Sequence, residues 1–259
     1  MTVNKPYVQE AEYIQNVIIY GDCWPIVSAV QHLVRAIRPE YCCEVSTSLT
    51  DLIKSLTTKS EAVIILCLRP REHIYLFYAL KQALMNHPAL IISDELFFSD
   101  RLVLQCWGGL PFTNHQEITI LLEDINKYGC PPHSQEDNLS RFLSAPSVAT
   151  GYFEVPMIFY NSERLMNYME LLMYRATVSC GVTQDQQKLM EEVHKGQCSL
   201  SGLKNKLNKN ERQIWQDKNR LLVKLGMKNR LHELLYGTRF CPDKQRTPFL
   251  SPDKILSAE

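Results

Sequence analysis

Between residues 210 and 224 the chain reads NERQIWQDKNRLLVK, in which cations and side-chain amides recur at helical spacing. If Ile214, Leu221, Leu222 and Leu225 face a core, then Trp215, Gln216, Lys218 and Asn219 must point largely outward, because helical neighbours are rotated by about 100°. An amide side chain offers the donor–acceptor pair that reads an adenine edge, and lysine or arginine reaches guanine or a phosphate oxygen. The chemistry these residue types suit is recognition of double-stranded DNA. An outward Trp215 can contact a thymine methyl or a sugar, or fold back onto its own domain, and both alternatives stay open here.

Other reactive residue types do not assemble into a motif. The nine cysteines include no CxxC pair, which argues against a zinc site or a disulfide framework and points to small buried hydrophobes. His73, His87, His115 and His133 are isolated and are expected to be surface or packing residues. There is no phosphate-binding glycine loop, dinucleotide glycine fingerprint, GxSxG or HExxH. No enzyme activity, cofactor or metal is expected.

The formal net charge is zero but unevenly spread. From 182 to 240 there are twelve cations and six acids, a balance of +6, so the remainder carries −6. A basic module tied to an acidic one suits a polyanion bound at one end. No apolar run approaches the ~20 residues that span a bilayer, so no membrane partner is expected. The opening MTVNKPYVQEAEY does not resemble a secretory leader, which places the expected compartment in the cytoplasm.

The elements that must position the basic helix follow from patterning. VIIY (17–20), AVIILCL (62–68), ALIIS (89–93) and RLVLQCW (101–107) are apolar runs expected to be buried strands, with a weaker one near 42–46. Helical stretches lie between them, at 26–37, around 75–85 and at 116–128. This alternation predicts an α/β domain over 15–130, a parallel sheet flanked by helices. Residues 131–181 have connector composition, with a helix near 162–175 that is either a packed linker helix or a dimerisation helix. In 182–240 the Thr183/Gln186 capping spacing starts a helix carrying Leu189, Met190 and Val193, and Gly196 stops it. Leu200, Leu203 and Leu207 line a second helix. Asn210 caps the third, Gly226 follows it, and Leu231, Leu234 and Leu235 line a fourth. The tail, 241–259, has three prolines and is expected to be disordered.

Residues 182–237 resemble the LuxR/NarL-type helix-turn-helix of bacterial transcription regulators. Gly196 matches that family's glycine after the first helix, Leu203 and Leu207 its scaffold-helix pair, and Ile214 the buried aliphatic of its recognition helix. Lys218, Leu221, Lys224, Leu225 and Gly226 match its basic and leucine–glycine close. One extra residue separates Gly196 from Leu203, Asp217 stands where histidine is usual, and Gln213 where threonine is usual. The resemblance implies base-facing roles for Trp215, Gln216 and Asn219, and phosphate contacts for Lys204, Lys209, Arg212 and Lys218, with Lys224 on the same basic surface. It also makes the first domain receiver-like. In AVIILCLRP, however, Cys67 stands where a receiver carries its phosphorylatable aspartate. VIIYGDCWP keeps only Asp22 of the acidic pair, and no lysine lies between Lys81 and Lys127. A thiol cannot form an acyl phosphate, so the domain resembles a pseudo-receiver with no phosphorylation site.

The function these readings imply is a phosphorylation-independent DNA-binding transcription regulator. Its control would come from homodimerisation, or from pairing with a related response regulator. Candidate contact surfaces are the 162–175 helix, a face of the first domain, and the 231–236 helix, favoured for its apolar content. The competing reading is a protein-binding adaptor or antagonist that keeps the fold but binds DNA weakly or not at all.

Overall fold

In the computed structural model, residues 15–128, 137–196, 199–228 and 231–253 are described. Cys130, His133, Cys198, Arg230 and residues 254–259 of the tail lie outside them, as do the side chains of Leu200 and Leu231.

The N-terminal part alternates β1 (Asn16–Gly21), α1 (Trp24–Ile37), β2 (Cys42–Ser46), α2 (Leu49–Thr58) and β3 (Val63–Cys67). It continues through α3 (Ile74–Ala79), α4 (Lys81–Asn86), β4 (Ala89–Ser93), α5 (Phe98–Cys106), β5 (Phe112–Asn114) and α6 (His115–Tyr128). All strands are parallel, in the order β2-β1-β3-β4-β5. The order reverses direction between β1 and β3, which opens a crevice at the carboxyl ends of these two strands. β3 and β4 are buried along their whole length, as their uninterrupted apolar runs require in a sheet covered on both faces. One face packs Val27, Val30, Leu33 and Val34 of α1 with Ile118, Leu121 and Ile125 of α6. The other packs α2 to α5. Where β1 meets β3, Gly21 is required, because a Cβ there would collide with the Cys67 carbonyl.

Two expectations about this part change. The run RLVLQCW is not a strand but lies in α5. Asp100, at the third helical position, accepts hydrogen bonds from the Phe97 and Arg71 amides at 2.9 and 2.8 Å, which starts a helix. An apolar run of this length fits a buried helix as well as a buried strand. The last strand is instead Phe112–Asn114, too short to show a period. The cysteines are also less uniformly buried than expected. Cys67 and Cys106 are buried, but Cys23, Cys42 and Cys180 are exposed.

The connector contains α7 (Asn138–Ser144), capped by Asp137 and packed through Leu139, Phe142 and Leu143 against the α1/α6 face. It also contains α8 (Ser162–Ser179). The C-terminal part is all helical: α9 (Gln184–His194), α10 (Leu200–Leu207), α11 (Glu211–Lys224) and α12 (Leu231–Gly237). Ile214, Leu221, Leu222, Leu225 and Leu234 join a buried apolar cluster that runs through Leu172 and Met173 of α8 to the α2–α5 face of the sheet.

The 231–236 helix does not keep its apolar surface free for a dimer. Leu234 is fully buried, His232 packs edge-on against Phe97, and Gly237 abuts Phe97 and Met227. Among its described side chains Leu234 is spent within the chain, and Leu235 and Tyr236 are half-buried. Nor is the start of the tail without order. Residues 241–250 pack on the α/β part through a short 3-10 turn, Pro242–Lys244, with Thr247 buried and Phe249 in ring contacts. Their contacts lie in the α/β part, out of reach of any local sequence pattern.

Candidate nucleic-acid interface

α11 is fixed at both ends by its own sequence. Asn210 and Gln213 form a reciprocal capping box, at 2.9 and 3.0 Å. Gly226, with φ of 58°, closes the C-terminus. Asn208, in the left-handed region at φ 50°, makes the turn from α10 into α11, a conformation asparagine tolerates better than most residues. α9 is set by an equivalent box between Thr183 and Gln186. Gln186 is itself buried and faces α11, where it accepts from Lys224 Nζ at 2.9 Å.

With Ile214, Leu221 and Leu222 buried, the opposite side of α11 is uncovered. Trp215 and Gln216 lie three and four residues after Arg212, Asn219 four and three after them, and Val223 four further on, so that the five share one side of the helix. Trp215 is 56% exposed and Val223 79%. Arg212 and, on α10, Lys204 are exposed, while Gln216 and Lys218 are half-buried. Arg220 is an exposed cation four residues after Gln216 that patterning did not single out, although that i, i+4 spacing was visible.

Two candidate residues have other partners in this structure, and a third is partly covered. Lys209 Nζ is clasped between Asp185 at 2.8 Å and Asp217 at 2.7 Å. The hydrogen bonds to the two carboxylates raise its pKa. Lys224 reaches back across the module to the Gly181 carbonyl and Gln186. Asn219 is half-buried, and its Oδ1 is covered with no hydrogen-bond partner among the described residues. The clasp changes the electrostatics of Asp217: the acid that would repel a phosphate is neutralised by the neighbouring ammonium.

The crevice at the carboxyl end of the sheet is the second concave feature, a cleft of about 300 Å³ bordered by Asp22, Cys67, Arg69, Ser93, Asp94, His115 and Arg246. Burial pushes the Cys67 thiol far above the ordinary cysteine range, and the charge of Asp22 adds to the shift. A hydrogen bond from His73 holds the Asp22 carboxyl below its usual value, and Arg246 assists. Asp94 pairs with Arg69 through three hydrogen bonds of 2.6–3.2 Å. Among the described residues no group of three or more His, Cys, Asp or Glu side chains is placed to hold a metal ion. Among the described residues no helix is long and apolar enough to cross a membrane.

No protein-family model matches this chain, and no curated protein matches it. Solved structures do. One is a complex of the two-component response regulator RcsB with DNA: TM-score 0.50, 15% identity, covering 86% of this chain and 97% of that one. RcsB from Salmonella enterica serovar Typhimurium, bound to promoter rprA with the phosphomimetic BeF3−, aligns at TM-score 0.45, 15% identity and the same coverages. Full-length FixJ from B. japonicum aligns at TM-score 0.34 and 13% identity, covering 85% of this chain and 94% of that one. At these identities the likeness shows the fold alone: a receiver-like α/β domain followed by an all-helical helix-turn-helix module.

Proposed function

We propose that this chain is a DNA-binding transcription regulator of the LuxR/NarL type that acts in the cytoplasm, with α11 as the recognition helix. The observation that carries this reading is the uncovered stripe of Arg212, Trp215 and Gln216 on a helix capped at both ends and preceded by the Asn208 turn. That stripe places an amide and an aromatic at the centre of the face that would enter a major groove, with cations at Arg212, Lys218, Arg220 and Lys204 around it. The RcsB structure that shares the fold is described as a DNA complex, which supports the same reading.

Control is proposed to come from association rather than phosphorylation. Cys67 ends β3 where a receiver's aspartate would stand, and its thiol is buried and protonated. One module of this size reads a half-site, so a second copy or a related regulator would supply the other half. α8 supports this: Leu171, Tyr174 and Val178 are exposed at spacings of three and four, whereas Leu234 of α12 is spent internally. The test is binding to random and genomic DNA across a salt series. A steep loss of affinity with salt is expected of a protein that neutralises phosphates.

An adaptor or antagonist that keeps the fold but not the affinity is the second reading. It is favoured by the inward tie of Lys224 and the covered amide oxygen of Asn219, which remove two groups from the binding face.

A further inference from the structure

The tail borders the crevice that a working receiver would reserve for its metal and phosphoryl chemistry. From Gln245 to Phe249 the chain runs along residues 71–78, beside the carboxyl end of the sheet, and four of its five residues are held by specific contacts. The Gln245 side chain pairs with backbone on both sides, accepting from the Ile74 amide at 2.9 Å and donating to the Arg71 carbonyl at 2.9 Å. The Arg246 amide donates to the Glu72 carbonyl at 2.9 Å, and its guanidinium bridges Asp22 and Glu72 Oε2, the latter at 2.8 Å. Thr247 is buried, with Oγ1 2.8 Å from His73 Nδ1, while the other ring nitrogen of His73 lies 3.3 Å from Asp22. Phe249 stacks on Tyr78 at 5.7 Å between centroids and 14° between planes, and meets Tyr75 edge-on at 5.6 Å.

Each of these five-residue contacts has a distinct chemistry. A carboxamide satisfies a free backbone donor and acceptor. A guanidinium neutralises two acids. A hydroxyl is read by a histidine already oriented by Asp22, and an aromatic ring fills a slot between two tyrosines. Together they have the form of a peptide-recognition site, in which charge-assisted bonds to a planar guanidinium and backbone pairing set register.

We infer that the surface formed by residues 71–78, beside the carboxyl-end crevice, is a peptide-binding site for an extended Gln-Arg-Thr-x-aromatic segment, and that this chain's own residues 245–249 occupy it, with Arg246 bordering the crevice. The short tether from α12 (Leu231–Gly237) holds the segment at an effective concentration on the order of millimolar. The docked strap thereby ties the helical module to this surface. The inference is independent of the DNA reading, since none of the residues in it lies on α11.

The test uses the full chain carrying Gln245→Ala, Arg246→Ala and Phe249→Ala, with circular dichroism and thermal unfolding recorded first because Gln245 and Phe249 are half-buried. The probe is a fluorescein-labelled peptide of residues 241–253, followed by anisotropy. The triple variant is expected to bind it saturably, and the wild-type chain, whose site is filled in cis, at least tenfold more weakly. A peptide bearing the same three alanines is expected not to bind. A second readout needs no added peptide: Gln245→Ala alone should raise amide hydrogen exchange at Ile74 at least tenfold. The inference is overturned if the triple variant, with wild-type circular dichroism, binds the peptide no better than wild type. It is equally overturned if the alanine peptide binds as well as the native one, or if exchange at Ile74 is unchanged.

Discussion

At the scale of single residues, Lys209 separates two accounts of the same charge. A lysine held by Asp185 and Asp217 serves the interface by neutralising Asp217, whereas a free lysine would contact phosphate itself. Lys209→Gln is therefore expected to weaken DNA binding by roughly fivefold, and adding Asp217→Asn to restore most of the loss, as coupled neighbours do. Measured affinities for the four combinations decide it: a double variant as weak as Lys209→Gln alone would mean a direct phosphate contact. Lys218→Ala should weaken binding to every sequence alike and flatten the salt slope by about one, whereas Gln216→Ala should cost about 1–3 kcal/mol on the preferred site only. Titrations on specific and random duplexes distinguish these outcomes. At Cys67 the expectation is negative. Incubation with small phosphodonors followed by mass spectrometry should find no stable acyl phosphate in the α/β part, and finding one would end the pseudo-receiver reading.

At the scale of elements, His194 at the end of α9 makes the helical module sensitive to acid. Burial, with Arg239 adding to it, lowers its pKa from 6.5 to about 4. Its Nε2 lies 2.9 Å from Thr238 Oγ1. The folded state thus resists protonation more than the unfolded chain does. The stabilisation is complete above about pH 6.5 and is lost as pH falls towards 4. The loss has an upper limit of about 3 kcal/mol, which solvent screening of a partly exposed group lowers to roughly 1–2 kcal/mol. Urea midpoints measured between pH 7 and 4 should show this slope, and His194→Gln should flatten it. Elements with a strong local code were legible in the sequence. β1, β3 and β4 announced themselves by β-branched apolar runs, and α9 and α11 by their capping pairs. RLVLQCW carried no such code and was read as a strand, while FTN of β5 was too short to carry one. The outward stripe of α11 was legible because burial of Ile214 and Leu221 dictates it. The clasp on Lys209 was not, because its acids lie 24 and 8 residues away in the chain. The docked tail was hidden for the same reason, with partners such as His73 at a separation of 174 residues.

At the scale of the whole molecule, an apolar cluster joins the two modules and the tail straps one to the other, so the helical module does not hang from a free linker. Leu234 of α12 is committed to that internal packing, and α8 is the surface proposed here for contact between copies, ahead of a face of the α/β domain. Leu171→Glu with Val178→Glu should then lower the mass seen by light scattering on target DNA from two chains to one. An unchanged mass would remove α8 from the interface. The central claim is that α11 brings this chain to DNA, and the most direct measurement is the affinity for duplex DNA across a salt series. Lys204, Arg212 and Lys218 are the proposed phosphate contacts left once Lys209 is clasped. They set an expected slope of log affinity against log salt of about −3 per bound module, at about −0.9 for each phosphate neutralised. Undetectable binding at low salt, or an affinity indifferent to salt, would contradict the claim and leave the adaptor reading in its place.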